Sequence, residues 1–400
     1  MKYLFINVLA GSGSTGKIAA DKCRELQKQG HQCVLAYGRG EANCEDISTY
    51  KIGTKLDYCI HGVKTRLFDR HGFGSVRATK KFLKWVRVYD PDVIWIHNIH
   101  GYYINIEMLF DYLKSTDKKV YWTLHDCWAF TGHCAYFSYV KCDKWKTGCH
   151  NCNQKNKYPG SFLLDRSRKN YIQKKKIFLN VSDLTIVTPS KWLEKLVKES
   201  FLKGYRTEVI YNKVETKVFR PVPSHFREQY GLKDKRIILG VANVWEKRKG
   251  LDDFIKLAEL LNEQYAIVLV GLNERMMQNV FHRLKKVKKP KRIYAEKTNI
   301  CGVNNKKKGC MAIPPGIESL YRSIVVMFGE DIQESEQTAT VICLKRTESA
   351  GELAQIYTAA DVFVNPTYED NYPTVNLEAQ ACGTRVITYD VGGCRETIGL

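Results

Sequence analysis

The chain has 400 residues, 44% apolar and 12% aromatic, which suits two domains of ordinary size with their own cores and excludes a disordered segment. No apolar run reaches the ~18 residues that a membrane-spanning helix needs. Lys and Arg outnumber Asp and Glu by 63 to 42, a net charge of +21, so an anionic partner is expected: nucleic acid, an anionic membrane surface or phosphorylated small molecules.

In chain order, residues 3–9 form an apolar run behind Lys2 that could pass for a short signal-peptide core. A buried first strand running into the glycine-rich turn Gly11-Ser-Gly-Ser-Thr-Gly16 is the better reading, and it places the chain in the cytoplasm. Residues 17–29 follow as an amphipathic helix ending at Gly30. Strands are predicted at 33–37, at 93–97 after the helix breaker Asp90-Pro91, at 120–124 and at 184–188. Short apolar runs alternating with helices predict a parallel sheet covered on both faces.

A second cycle begins near residue 236. Strands are predicted at 236–242, 266–271, 361–365 and 385–388, with a helix at 251–262. Residues 211–235, with Pro221 and Pro223, read as the connection, giving domains 1–215 and 216–400. Two such α/β domains are expected to leave a ligand cleft at the carboxyl ends of their strands. From about 284 to 340 the rhythm breaks. That basic stretch, with Cys301, Cys310 and Pro314-Pro315, has no clear period before residues 319–328 and reads as an insertion.

Fourteen cysteines are many for a cytoplasmic protein, and Cys127, Cys134, Cys142, Cys149 and Cys152 crowd into the loop 127–152. They form a local feature rather than a disulfide framework. Cys134, Cys142, Cys149 and Cys152, spaced C-x7-C-x6-C-x2-C, suit a closed tetrahedral zinc site that is structural rather than catalytic. Reduced, buried thiols suit the spacing equally well, and Cys127 and His133 are spare ligands.

The most informative block runs from Asp361 to Thr388. A strand ends at Asn365, a polar loop follows, and a helix starts near Thr374 with Glu378 in its first turns. Unpaired amides at that start would attract phosphate or sugar oxygens. Glu378 could accept from a ribose diol, and Asp370 could meet hydroxyls of a transferred sugar. An acidic residue eight places before the Glu of Leu-Glu-Ala, then a Gly-x-x-Val strand, resembles the retaining glycosyltransferases of family 4, which have the GT-B fold. Asp370 stands where Glu is usual, with Glu369 the neighbouring alternative. Arg385 stands where Pro is common, and the likeness extends to Gly392-Gly393 and Glu396.

A second block, Gly240-Val-Ala-Asn-Val-Trp-Glu-Lys-Arg-Lys-Gly250, matches the family loop whose Arg and Lys-Gly grip the donor diphosphate. Lys249 matches the lysine. Asn243 replaces the arginine, and Arg248 is the compensating cation. In the first half, Gly13-Ser-Thr-Gly-Lys17 matches the family's glycine-rich loop, which brings Gly16 and Lys17 toward the donor. Gly30-His31, Thr188-Pro-Ser-Lys-Trp192 and Val209-Ile-Tyr-Asn212 also fall at family places. His125, past a strand end, matches the histidine near the reacting sugar. The run Leu-His-Asp-Cys-Trp-Ala-Phe-Thr-Gly-His-Cys at 124–134 is closest to a branch found in bacterial polysaccharide synthesis, of the colanic acid type.

The resemblance covers residues 1–283 and 341–400. It implies two Rossmann-like domains facing across a cleft and metal-independent transfer with retention; family members usually continue into further helices past the place that Leu400 matches. The donor would be a nucleoside diphosphate sugar, and the acceptor a hydroxyl of a glycan or lipid-linked molecule. On this reading Lys249 and Arg248 hold the diphosphate, and Asn371, Tyr372, Pro373 and Thr374 form the turn that supplies backbone donors. Asp370 and Glu378 hold the sugar and ribose, and His125 serves the acceptor. No catalytic cofactor is expected; a structural zinc stays one of the two readings of the cysteine cluster. The charge then reflects peripheral contact with an anionic membrane at the inner face of the plasma membrane, without nucleic acid as a partner.

Two rivals remain from the residues. Gly11-Ser-Gly-Ser-Thr-Gly-Lys17 fits the P-loop spacing of an ATPase or kinase, although Ile18 stands where Ser or Thr would hold magnesium. The net charge admits a nucleic-acid-binding protein, although no reading module appears.

Overall fold

A computed structural model describes residues 1–285, 303–305, 309–329 and 338–398. The chain divides into two compact units, Met1–Tyr211 and Asn212–Leu400.

In the first unit, β1 (Lys2–Asn7), β2 (Gln32–Tyr37), β3 (Ser48–Lys51), β4 (Val93–Ile96), β5 (Lys119–Thr123), β6 (Leu184–Thr188) and β7 (Arg206–Val209) form one sheet. Its order is β3-β2-β1-β4-β5-β6-β7, and every pairing is parallel. Side chains alternate across it as the pleat requires. Leu4, Ile6, Ile94, Ile96 and Trp122 enter one core with Phe110 and Phe178, while Phe5, Leu35, Trp95 and Val187 enter another beneath the helix Gly13–Lys28. Covering on both faces explains why β4 is apolar at all four positions. Trp122 packs 5.2 Å from Phe110 and 4.8 Å from Phe178 between ring centroids; truncating it to Ala would cost about 3–5 kcal/mol.

The second unit repeats the plan with β8 (Arg236–Val241), β9 (Tyr265–Val270), β10 (Val303–Asn305), β11 (Cys310–Ile313), β12 (Thr340–Leu344), β13 (Val362–Asn365) and β14 (Arg385–Tyr389). The order is β10-β11-β14-β13-β8-β9-β12, parallel except for β10 against β11. The faces again alternate: Ile238, Ile267, Val362 and Ile387 go to one core, and Ile237, Ala266, Phe363 and Val386 to the other.

The predicted α/β class with two predominantly parallel sheets is what the chain forms. Two differences matter. The helix expected from residue 17 begins at Gly13. The supposed insertion at 284–340 contributes β11, which pairs in parallel with β14, and the helix Ile317–Phe328, which packs on the helix Leu251–Leu260. Cys310-Met-Ala-Ile313 is only four residues long beside a basic run, so it gave no periodic signal. Cys301, Lys306, Lys307, Lys308 and most of the basic run near residue 290 lie outside the described residues. The edge strands β3 and β7 also escaped, because half-exposed polar strands lack an apolar run. Among the described residues no helix is long and apolar enough to cross a membrane.

Each sheet has one switch point, where the connections leave in opposite directions. In the first unit it lies between β1 and β4, in the second between β8 and β13. Crevices at the carboxyl ends of such strands are where doubly wound sheets bind ligands.

Candidate active site

At the switch point of the second unit, the loops following β8 and β13 dock on one another. Trp245 anchors the first, its indole N–H donating to the Val270 carbonyl at 3.0 Å. Lys247–Lys249 then make a single tight turn. Its backbone is tied to the other loop: the Tyr368 amide and the Thr367 hydroxyl both donate to the Arg248 carbonyl, at 2.7 and 3.1 Å. Gly250, at φ +75, closes the turn so near Pro366 that a Cβ would lie 2.2 Å from the Pro366 carbonyl oxygen. Only glycine fits there. Asp253, in the helix that follows, is nearly buried and accepts from the Tyr389 hydroxyl at 3.0 Å. Burial raises its carboxyl above the usual range, against the pull of the Tyr368 and Tyr389 hydroxyls.

This docking brings Lys249 to Asp370, with Nζ 2.5 Å from Oδ2 and both side chains about one-fifth exposed. Glu369, the alternative acid, is buried, and its carbonyl accepts from the Arg248 guanidinium at 3.0 Å. Arg248 also pairs with Glu246 at 2.8 Å, so part of its fork clamps the loop. Asn243 is exposed in the same loop. The turn at Gly392 closes over Asp370 from above: at φ +56, a Cβ on Gly392 would lie 1.9 Å from the Asp370 carbonyl oxygen, which also accepts from the Gly393 amide at 3.2 Å.

Asn371, Tyr372 and Pro373 are buried and lead into the helix Thr374–Ala381. Pro373 is its N-cap, so no side chain caps it and no acid lies in its first turn. The opening amides therefore keep their attraction for an anion. Inside the helix, Asn376 is fully buried between Asn365 and Thr397, at 2.9 and 2.8 Å. Thr374 and Glu378, one turn apart, share the half-buried face. Glu378 Oε2 accepts from the hydroxyl of the buried Tyr357 at 3.2 Å. Burial first, and then the charge of Glu378, pushes that hydroxyl well above its ordinary pKa, so Tyr357 remains a hydrogen-bond donor that holds the carboxylate in place. Neither Tyr357 nor the Asn365–Asn376–Thr397 chain was singled out in the sequence, because structural partners carry no motif.

The first unit's switch point is lined with imidazole. Asn7, at the end of β1, accepts the Asn98 amide at 3.2 Å and fixes the loop after β4. His97 Nδ1 lies 3.0 Å from His125 Nε2, with the rings stacked at 5.3 Å and 15°. Burial lowers His125 to about 4, with the Asp126 charge opposing and His100 adding to the drop. Burial and His125 take His97 well below its usual range. Both rings are thus neutral near pH 7, one donating and one accepting. His100 Nε2 lies 2.9 Å from Asp126 Oδ2, and its Nδ1 meets the Tyr158 hydroxyl at 2.9 Å. His97, His100, His125 and Asp126 line one small cavity. Such a cavity can orient a hydroxyl without adding net positive charge beside it. His97 and His100 went unassigned in the sequence, although two histidines three apart just past a strand were a usable signal.

Beneath this cavity Lys174 is wholly buried. Its ammonium donates to the carbonyls of Trp128 and Thr131 at 2.8 and 3.1 Å and lies 3.5 Å from the Trp128 ring centroid. Burial lowers it to about 7. It pins the segment that carries His125 and Asp126.

Gly16 and Lys17 do not sit in a phosphate-wrapping loop. Gly13, Ser14 and Thr15 are already helical, Gly16 is buried, and Lys17 is exposed in the second turn. A P-loop needs those residues to curl around phosphate before the helix begins, so the ATPase or kinase reading is corrected. Cys134, Cys142, Cys149 and Cys152 do line one cavity. The Cys134 thiol hydrogen-bonds Cys152, lowering Cys152 to about 7, while burial raises Cys149 to about 11. Among the described residues no three His, Cys, Asp or Glu side chains are arranged to hold a metal ion. The loop is held by Phe137 stacked on Trp145 at 4.9 Å and by the Asp165 carboxylate, which accepts the Cys152 amide at 2.6 Å.

Comparison with known proteins agrees with this architecture. Residues 15–218 match the family model "Glycosyltransferase Family 4", and residues 327–400 match "Glycosyl transferases group 1". The putative colanic acid biosynthesis glycosyl transferase WcaC of Escherichia coli (strain K12) is 26% identical over 228 residues, covering 54% of this chain and 55% of that protein. The match thus spans about half of that relative's length. Among solved structures, sucrose-phosphate synthase from Thermosynechococcus elongatus superposes with a TM-score of 0.61 at 17% identity, covering 99% of this chain and 83% of the other. Anabaena HepE in complex with UDP and glucose gives 0.54 at 13% identity, with 99% and 82% covered. These likenesses carry the fold, which is GT-B. A family match over half the chain and two sheets with this strand order together show that the chain belongs to glycosyltransferase family 4.

Proposed function

We propose that this chain transfers a sugar from a nucleoside diphosphate sugar to a hydroxyl of a glycan or lipid-linked acceptor, with retention at the anomeric carbon. The observation that carries this reading is the Lys249–Asp370 pair at the second unit's switch point, just before a helix start without a capping side chain. Diphosphate charge suits Lys249, Arg248 and the opening amides of the helix Thr374–Ala381. Asp370 suits the hydroxyls of the transferred sugar. Glu378, held by Tyr357, suits the ribose diol. The first unit handles the acceptor, with neutral His125 positioning its hydroxyl. Those cationic and dipolar groups would carry the leaving-group charge, so turnover should survive EDTA.

Kinship with a colanic acid biosynthesis glycosyl transferase favours bacterial surface polysaccharide synthesis from the cytoplasmic side, and a fold neighbour captured with UDP and glucose makes UDP-sugars the first donors to try. The test is hydrolysis across a panel of UDP-, GDP- and ADP-sugars. One donor should stand out, and Glu378→Ala should cut its turnover by about 100-fold or more with an unchanged thermal melt. Wild-type rates in that variant would remove the assignment.

A further inference from the structure

One helix of the first unit is inside out. Lys55–Phe68 starts from a complete capping box between Thr54 and Asp57, so its position is firmly set. Its buried residues are His61 and Thr65. His61 Nε2 accepts the amides of Gly72 and Gly74 at 3.1 and 3.2 Å, and its ring meets Tyr102 edge-on at 5.9 Å. The apolar stripe lies on the opposite side. Leu56, Ile60, Val63 and Leu67 recur at the helical spacing and are exposed, the first three at 69%, 47% and 55%. A helix on a globular domain ordinarily turns such a stripe to the core.

A second segment extends this surface. The Phe162 amide donates to the Arg66 carbonyl at 2.7 Å, and the Leu164 amide to the Leu67 carbonyl at 3.3 Å. The tip is tied by Ser161 Oγ, which donates to the Leu164 carbonyl at 2.7 Å. Phe162 and Leu163 stand 66% and 58% exposed beside Leu67 and Phe68. Hydrogen-bonded backbone that presents consecutive large apolar side chains to water marks an interaction surface rather than a scatter of single residues.

Charge selects the occupant. Lys55, Lys64 and Arg66 are exposed on the same helix, and Lys157, Arg168 and Lys169 flank the loop in sequence. The nearby acids are already engaged: Asp57 in the capping box, and Asp165 with the amides of Cys152 and Ser167. An apolar ridge rimmed by cations, on a chain of net charge +21, complements a sheet of anionic head groups over hydrocarbon. We infer that the helix Lys55–Phe68 and the 161–164 loop together form a docking face for an anionic bilayer, into which Ile60, Val63, Phe162 and Leu163 insert. This inference does not depend on the transfer reaction, because it rests on a surface and not on the donor site.

The test is co-sedimentation of the full chain with phosphatidylcholine vesicles and with vesicles also containing phosphatidylglycerol. Wild type should partition onto the anionic vesicles and only weakly onto the neutral ones, with binding falling as salt rises. The pairs Phe162→Ser/Leu163→Ser and Ile60→Ser/Val63→Ser should each lower the partition coefficient by about tenfold or more. Lys64→Gln and Arg66→Gln should each lower it about fivefold at low salt. Hydrolysis of the donor in solution, or the thermal melt if no donor is found, should stay unchanged and report an intact fold. Absence of wild-type binding to the anionic vesicles overturns the inference, as do variants that bind like wild type. A wild-type dimer in light scattering that the Phe162/Leu163 pair makes monomeric also overturns it, since the face would then bind a second copy of the chain.

Discussion

The two units repeat one sheet plan and equip its switch point in opposite ways. In the first, the carboxyl end of the sheet carries buried or half-buried imidazoles, His97, His100 and His125, with His61, His71 and His133 behind them. In the second, the equivalent end carries a lysine–carboxylate pair and an uncapped helix start, while its two histidines, His225 and His282, are exposed. Neutral rings suit a hydroxyl that must be oriented without being ionised. Fixed charge suits phosphate. The same scaffold thus sets two chemically opposite groups of side chains just beyond its strands.

Acid should break the symmetry most strongly. His61 and His125 are lowered to about 4, against an ordinary value of 6.5. As pH falls below 6.5 the unfolded chain takes up protons that the native rings refuse, so stability present above 6.5 is lost between 6.5 and about 4. Each of these two would forfeit about 2 kcal/mol by roughly pH 5. His71 and His97 shift in the same direction. His133 opposes: burial disfavours its charge, but Asp69 at 2.6 Å raises it overall, so its contribution is present at acid pH and fades as pH rises. Peptide-resolved amide exchange at about pH 7 and pH 5, corrected for intrinsic rates, should therefore show protection lost in Met1–Tyr211 and largely kept in the second unit. Equal losses would refute the contrast.

Lys249→Ala should cost donor turnover about 100- to 1000-fold, roughly 3–4 kcal/mol, whereas His125→Ala should act mainly on transfer to acceptor and less on donor hydrolysis. Steady-state kinetics with and without acceptor would separate the two. Gly392→Ala asks for a side chain at φ +56 and 1.9 Å from a carbonyl oxygen. We expect at least about 1–3 kcal/mol of lost stability and a raised donor KM, with the first unit's exchange pattern unchanged. The smallest effect concerns reactivity. With Cys152 lowered to about 7 by Cys134, alkylation there should be half-maximal near pH 7 and shift upward in Cys134→Ala, as peptide mass spectrometry would show.

Much of this architecture was legible because parallel strands buried on both faces read as short apolar runs, and those runs were found wherever all residues point into a core. What stayed hidden was edge and insertion material: β3 and β7 are polar, and β11 is four residues inside basic sequence. In the candidate site, Asp370 and Lys249 were marked by their places in the family's motifs, and they prove to be in contact. The beginning of the helix at Gly13 was misjudged because glycine and serine argue for a turn. Here Ser12 stands at the N-cap position without a side-chain hydrogen bond, and Gly16, inside the helix, is buried close against Leu9. Tyr357 could not be found at all, since a tyrosine acquires its meaning only when folding sets it beside Glu378.

The contact between Lys249 and Asp370 also makes occupancy of this pocket an exchange of partners. On the proposed donor reading, a phosphate arriving at the ammonium would compete with the carboxylate already seated on it, and a freed carboxylate would face whatever the phosphate carries. A nucleotide ending at its first phosphoryl group would leave that carboxylate seated, whereas a full sugar nucleotide would offer it hydroxyls in return. Discrimination between product and reactant would in that case begin with which anion the lysine holds.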